Sequence, residues 1–280
     1  MAEHEIASSL QVVNRLREAR VRLEALTSEA LPLEWTIRAL KRMEQRLARP
    51  VRVAILGEFN AGKSTLANVL AGIDSLPTAV VSATRYPTLL IHKRTPEVWA
   101  VHFDGRREAL RVDKPVQSRS IARLEVGLPL PWLDNVQLLD LPGLGDPYFL
   151  ASYVDLSANG VDAVLWCTVS TQAWKESERE AWDQLPVRLR NRAILVVTHA
   201  DLLRSREDRD KLLLRLRSIA EPGAGEIVVF SSKLQADSGE AEMRSALERL
   251  TARVRHERST AALRVVSRIS ERVLSRLPAG

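Results

Sequence analysis

The sequence predicts an α/β fold, a mostly parallel sheet covered by helices on both faces, with further helices at the two ends of the chain. Three observations carry that expectation. A strand-like run (Val51, Val53, Ile55, Leu56) passes into a glycine loop and then into a helical pattern at Leu66, Val69 and Leu70. From residue 51 onward, short apolar runs of strand length alternate with charged stretches of helical period, the mark of a sheet with two covered faces. Residues 1–49 and the carboxy end instead show apolar positions stepping by three and four, which is the stripe of an amphipathic helix.

The loop reads Gly57-Glu58-Phe59-Asn60-Ala61-Gly62-Lys63-Ser64-Thr65 and fits G-x-x-x-x-G-K-[ST] at every fixed position. Glycines let successive N–H groups turn inward toward phosphate oxygens, and the helix start adds the positive end of its dipole. Lys63 is placed to reach β- and γ-phosphates, and the Ser64 hydroxyl to bind Mg²⁺. A strand before the loop and a helix after it separate the motif from a chance glycine turn. The expectation is a nucleotide-binding protein of the P-loop NTPase class, with Gly57 to Thr65 lining the nucleotide.

Ahead of the loop, Ile6, Leu10, Val13, Leu16, Ala19, Leu23 and Leu26 mark one face of a first helix. Pro32 suits the first turn of a second, whose stripe is Leu33, Ile37, Leu40, Met43 and Leu47. Beyond the loop helix, residues 76–85 read as a loop, and strands follow near 86–93, 98–103 and 108–112. Asp104-Gly105 makes the hairpin turn between the last two. Residues 113–134 carry no readable pattern. Residues 136–139 form a buried strand ending in Asp140-Leu141-Pro142-Gly143, and further strands are expected at 161–168 and 193–198 with a helix at 173–185 between them. A charged helix at 206–219 leads to a last strand at 227–230. The carboxy end is helical from about 239 to 277, with a break expected near Ser259.

Composition narrows the classes. At 280 residues, 45% hydrophobic and 27% charged, the chain has room for one large domain or a core domain with an appendage. Its single cysteine, Cys167, excludes an internal disulfide and reads as a core residue of a cytosolic protein. The amino end mixes charged and apolar positions, so no signal peptide is expected, and the longest apolar runs are too short to span a bilayer. The net charge of +6 is concentrated at the carboxy end, where Arg253, Arg255, Arg258, Arg264, Arg268, Arg272 and Arg276 outnumber Glu257 and Glu271. Such a bias suits a membrane surface, RNA or an acidic partner helix alike. It also reads simply as a solvated face, since the bulky aromatic side of an interfacial helix is missing. His92, His102 and His256 lack partners at ligand spacing, so no metal besides Mg²⁺ is expected. Trp166, Trp174 and Trp182 are expected to pack the sheet and its covering helix.

Three further motifs specify the nucleotide. Asp140, at the end of a buried strand, can hold Mg²⁺ through water, and the Gly143 N–H can sense the γ-phosphate. Thr198-His199-Ala200-Asp201 follows the apolar run 193–197, and a carboxylate at Asp201 can accept both N–H donors of the guanine edge, which rejects adenine. Phe230-Ser231-Ser232-Lys233 follows the last strand and would give backbone N–H from Ser231 and Ser232 to the guanine carbonyl.

The run GEFNAGKST, then L-P-T, Thr84-Arg85-Tyr86-Pro87, D-L-P-G, T-x-A-D and F-S-S-K, resembles the GTPase domain of bacterial dynamin-like proteins over about residues 50–235. By that resemblance Thr84 is the switch threonine, its hydroxyl completing the Mg²⁺ shell and its carbonyl orienting the attacking water. Catalysis then falls to Lys63, Ser64, Thr84 and Asn60, and Ser64, Thr84 and Asp140 are the metal ligands. There are departures: His199 stands where most relatives have lysine, Phe59 stands where eukaryotic dynamins have glutamine, and no glutamine follows Asp140-Leu141-Pro142-Gly143. Asn60 matches the asparagine of potassium-activated GTPases, so K⁺ is a candidate second cation, taking the place of an arginine finger. Arg85 reads either as a finger across a dimer or as a loop arginine.

The resemblance implies an organisation of 1–49 as a helical hairpin, 50–235 as the GTPase domain and 236–280 as a helical segment packing with the first helices in a small bundle. Too little chain remains for a long stalk. The expected function is Mg²⁺-dependent hydrolysis of GTP to GDP and phosphate, stimulated by dimerisation across the nucleotide face. Expected partners are GTP and GDP, a second copy or another dynamin-like protein, and an anionic membrane surface. Nucleic acid is not expected, because no RNA-binding module is recognisable. The expected location is cytoplasmic or peripheral on the inner face of a membrane. The alternative is an Era-like regulatory GTPase switch acting on RNA, the ribosome or a protein partner.

Overall fold

The computed structural model describes residues 2–25, 34–72, 86–111, 118, 120–142, 156, 160–219, 224–233 and 238–274. Its elements are α1 (Ala2–Ala25), α2 (Glu34–Ala48), β1 (Val51–Gly57), α3 (Lys63–Ala71), β2 (Thr88–His92), β3 (Glu97–His102), β4 (Arg107–Leu110), β5 (Ile121–Leu128), β6 (Val136–Asp140), β7 (Ala163–Val169), α4 (Glu176–Asp183), α5 (Val187–Arg190), β8 (Ala193–Thr198), α6 (Arg206–Ile219), β9 (Ala224–Val229) and α7 (Glu240–Leu274). The chain divides into two compact units, residues 51–251 in one and residues 1–50 with 252–280 in the other.

In the larger unit, the described strands form one sheet in the order β4-β3-β5-β2-β6-β1-β7-β8-β9. The half that ends at β9 is parallel: β6, β1, β7, β8 and β9 run the same way. β1, β7 and β8 are buried along nearly their whole length, which is why they read as continuous apolar runs instead of alternating ones. β2 lies antiparallel to β6, and β3 antiparallel to β4 and β5, so the sheet is mixed, with the expected mostly parallel core. Ala54 and Leu56 of β1 pack with Val164, Trp166 and Leu195 of the neighbouring strands. Ala181 and Trp182 of α4, Leu189 of α5 and Leu216 of α6 join that cluster. Trp182 meets Trp166 edge-on with ring centroids 5.3 Å apart, a favoured aromatic geometry, so these tryptophans are core residues as the sequence implied.

β5 fills part of the stretch that carries no readable pattern. Arg123 and Glu125 in its middle disguise it. Glu125, only 8% exposed, accepts hydrogen bonds from Arg123 at 2.7 Å and from Arg107 of β4 at 2.7 Å. Charges paired in this way can sit inside a strand. The turn at Asp104-Gly105 is present, with the Gly105 N–H donating to the His102 carbonyl at 2.9 Å and the Arg106 N–H to the Asp104 carboxylate at 2.9 Å.

In the smaller unit, Val12, Leu16 and Leu23 of α1, Leu40 of α2 and Ala262 of α7 form the buried cluster. Val12 is buried where the periodicity pointed to Val13, which is half-buried. Arg17 and Arg20 of α1 both donate to the Glu44 carboxylate of α2. Burial opposes ionisation of Glu44, yet those two guanidinium contacts hold its carboxyl below the ordinary range. Arg258 of α7, 7% exposed, donates to the carbonyls of Arg46 and Arg49, satisfying acceptors left over at the end of α2.

The expected break near Ser259 is absent. α7 runs unbroken from Glu240 to Leu274, and no glycine or proline occurs in that stretch to interrupt it. Because Leu16 is fully buried, Leu16→Ala should destabilise the protein by about 2–4 kcal/mol. The reading is an earlier thermal transition in far-ultraviolet circular dichroism. A melting curve superposable on wild type would remove Leu16 from the core.

Candidate nucleotide-binding site

The loop leaves β1 at Gly57, whose φ is +144°. A Cβ there would lie 2.3 Å from the Cys167 carbonyl oxygen of β7, so the residue has to be glycine. Glu58 to Ala61 then form a turn closed by the Ala61 N–H on the Glu58 carbonyl at 3.1 Å. Asn60 holds φ +60° within it, a left-handed conformation asparagine tolerates better than most residues. Gly62, at φ +76°, caps α3 without a side chain, which leaves the first amides of a nine-residue helix directed at the loop.

Lys63 is 8% exposed. Its ammonium donates to the Glu58 carbonyl at 2.7 Å and the Gly57 carbonyl at 3.2 Å, which fixes the cation inside the loop. At the next residue, the Ser64 hydroxyl donates to Asp140 Oδ2 at 2.8 Å. Asp140 ends β6, the parallel neighbour of β1. The residue keeps some surface, but its Oδ1 is enclosed and has no hydrogen-bond partner among the described residues. Burial pushes the Asp140 carboxyl up, against the pull of the Ser64 hydrogen bond and the Lys63 charge.

Ser64 and Asp140 fit Mg²⁺. Both offer hard oxygen donors, and an enclosed carboxylate oxygen without a partner calls for a cation or its water. Among the described residues no group of three or more His, Cys, Asp or Glu gathers as a metal site.

The base motif is tied to the loop. Thr198, at the end of β8, places its hydroxyl 3.0 Å from the Ala61 carbonyl and 3.2 Å from that of Thr168. His199 follows at φ +55°, its carbonyl held by the Ser170 hydroxyl at 2.7 Å and its Nδ1 3.1 Å from Thr198 Oγ1. Asp201 Oδ1 accepts from the Ser231 hydroxyl at 2.6 Å, and Oδ2 lies 3.5 Å from the Lys233 ammonium. The Ser231 hydrogen bond leads in holding the Asp201 carboxyl below its ordinary range. By sign, a depressed carboxyl contributes its interactions above the ordinary pKa and loses them as pH falls through the lowered value.

The described residues Gly57 to Thr65, Asp140, Thr198, His199 and Asp201 thus follow or end β1, β6 and β8, at the carboxyl ends of parallel strands. Ser231 is 1% exposed and its hydroxyl is committed to Asp201, while Ser232 is exposed. Thr84 and Gly143 lie outside the described residues. The Glu58 carboxylate is taken up by Lys175 and Ser177, ahead of and within α4. Ser170, Lys175 and Ser177 were not singled out from sequence, and a serine or lysine near a helix start gives no local signal of such a contact.

Comparison with known proteins agrees with this geometry. Dynamin-like protein 2 of Campylobacter jejuni (strain 81-176) is 29% identical over 207 residues, 71% of this chain and 34% of its own. The isoniazid-induced protein IniC of Mycobacterium tuberculosis is 37% identical over 113 residues, 37% of this chain and 23% of its own. The chain therefore spans about a third or less of these relatives. A solved structure of an oligomerised bacterial dynamin pair shares the fold, with a TM-score of 0.60 at 21% identity over 81% of this chain and 39% of that one. The family model for the Dynamin family matches residues 53–212, a segment that runs from β1 past Asp201 and takes up more than half of the sequence. The chain belongs to the dynamin family and carries the GTPase domain of its bacterial members.

Proposed function

We propose that this chain binds GTP and hydrolyses it to GDP and phosphate with Mg²⁺, as a dynamin-like GTPase. The observation that carries the reading is the Ser64 hydroxyl 2.8 Å from Asp140, directly beside a phosphate loop with its lysine in place. When bound, Mg²⁺ neutralises charge on the β- and γ-phosphates. The chain supplies the rest. Amides of Gly62 to Thr65 and the Lys63 ammonium cradle phosphate oxygens, and Ser64 and Asp140 hold the ion. Asp201, oriented by Ser231, accepts the guanine N–H donors, and the His199 imidazole is the group available to lie over the base. Thr84 as third metal ligand and water-orienting carbonyl, and Gly143 at the γ-phosphate, rest on the family resemblance.

Phe59 is 68% exposed at the loop tip and brings no polar group to a water. Charge stabilisation from outside the loop is therefore needed, and we assign it to K⁺ at Asn60 together with dimerisation across the nucleotide face. The partner is a second copy or a longer dynamin-like protein. The oligomerised bacterial pair is described as sensing and tethering membranes, and by that likeness we extend the reading to an anionic membrane surface on the cytoplasmic side. Among the described residues no helix is long and apolar enough to cross a membrane, so the contact proposed is peripheral.

Three outcomes test this. Mg²⁺-dependent phosphate release should occur with GTP and not with ATP, and Asp201→Asn should weaken GTP binding about a hundredfold while favouring xanthosine triphosphate, whose base edge offers an acceptor where guanine has a donor. Unchanged GTP affinity in that variant would remove Asp201 from base recognition. Turnover should be faster in K⁺ than in Na⁺ and lose that difference in Asn60→Ala; equal rates in both salts would leave Asn60 a conformational residue only. In co-sedimentation with phosphatidylserine-containing vesicles, protein should pellet with a non-hydrolysable GTP analogue more than with GDP. Absence of pelleting in every nucleotide state would end the membrane role for this chain.

A further inference from the structure

Carboxylates are poorly placed in phosphate loops, because a fixed negative charge beside the β- and γ-phosphates opposes their binding. This loop carries one, Glu58, immediately after its first glycine. Its backbone carbonyl is at the centre of the site, accepting from Lys63 Nζ at 2.7 Å and the Ala61 N–H at 3.1 Å. The side chain does something different. Oε1 accepts from the Ser177 hydroxyl at 2.5 Å and Oε2 from the Lys175 ammonium at 3.1 Å. Burial disfavours its ionisation, yet these two hydrogen bonds and the Lys175 charge hold the carboxyl below its ordinary range.

The support for Lys175 and Ser177 is rigid. Buried Glu178, 2% exposed, accepts the Lys175 N–H at 3.1 Å and the Thr168 hydroxyl at 2.9 Å. The Trp174 N–H donates back to Thr168 Oγ1 at 3.1 Å, and Arg215 of α6 holds the Ala173 carbonyl. The connection from β7 to α4 therefore presents Lys175 and Ser177 at fixed positions. The Lys175 side chain is 43% exposed and that of Glu58 24%, too open for the pair to add much to folding stability.

We propose that Lys175 and Ser177 form a charge-masking clasp: they take up the Glu58 carboxylate so that the phosphate loop presents its amides and Lys63 to the nucleotide without a competing negative charge. Lys175 is thus a positioning residue that touches no substrate atom. Nothing in the sequence links Glu58 to Lys175, which are brought together only by the packing of α4 beside the loop. The clasp rests on the GTP-binding reading. It predicts a pattern that a bracing role would not produce, since the harm in losing Lys175 comes from the carboxylate it leaves behind.

The test is equilibrium binding of GTP and GDP to wild type, Lys175→Ala and the double variant Lys175→Ala with Glu58→Gln, at low salt, with thermal melting as a check on folding. Lys175→Ala should weaken GTP about fivefold, the scale of one part-exposed ion pair, and GDP by less because one phosphate charge is missing. The double variant should recover most of the loss, and added salt should shrink the difference. If wild type binds GTP while the double variant stays as weak as Lys175→Ala, or if Lys175→Ala binds like wild type, the clasp is overturned and the GTP reading stands. Wild type that binds no GTP would overturn the nucleotide reading and the clasp with it.

Discussion

At the end of β1 the chain passes so close to β7 that no side chain can occupy the last strand position. Gly57 pairs with Cys167 in the parallel register, and a Cβ on it would sit 2.3 Å from the Cys167 carbonyl. Everything in the phosphate loop follows from that approach. Because the strand is held between β6 and β7, the loop turns upward at one defined point, Lys63 folds back over the Gly57 and Glu58 carbonyls, and Ser64 arrives opposite the end of β6. A side chain at Gly57 would separate β1 from β7 and move Lys63, Ser64 and the Asp140 pairing together, since all three are set by the same exit from the sheet.

Hydrogen bonding joins the end of β8 to this loop. The Thr198 hydroxyl lies within reach of both the Ala61 carbonyl in the loop and the Thr168 carbonyl in β7. Ser170 fixes the His199 carbonyl, and Thr168 and Glu178 fix the segment that braces Glu58. The connection after β7 therefore serves the loop and the segment after β8 at once. Directional bonds hold distance more tightly than apolar contacts do, and recognition of a base and a phosphate chain by one site depends on the distance between the two being fixed.

Where local chemistry decides, the sequence already shows the structure. The glycine loop, Asp140 and the Thr198-His199-Ala200-Asp201 motif were legible because each puts particular residue types at a strand end: glycine at a close approach, a carboxylate beside the loop serine, a carboxylate after β8. Helix α6 was legible because its start and its apolar spacing are local. β5 was not, since the tolerance of Arg123 and Glu125 inside a strand comes from Arg107 on another strand. Ser231 was read as a nucleotide residue through its backbone, and its hydroxyl turns out to orient Asp201. The break expected near Ser259 fell in a stretch without glycine or proline, which had no physical cause to break. Glu58 shows the limit most plainly: a motif places the residue in the loop, and only the tertiary packing says which way its carboxylate is satisfied.

That limit has a chemical counterpart in how the loop manages charge. A lysine that is 8% exposed has given up much of its hydration, a cost that must be met by polar groups around it. Here the carbonyls of Gly57 and Glu58 accept hydrogen bonds from the ammonium, while the Glu58 carboxylate is engaged by Lys175 and Ser177. Had Glu58 turned its side chain inward, it would have formed an ion pair with Lys63 that any phosphate would need to break. Carbonyl dipoles orient the cation without neutralising it, so the lysine is held in place before any ligand arrives. The same residue thus supplies a backbone acceptor that helps the lysine and a side chain that would disable it, and the structure separates the two roles by sending them in different directions.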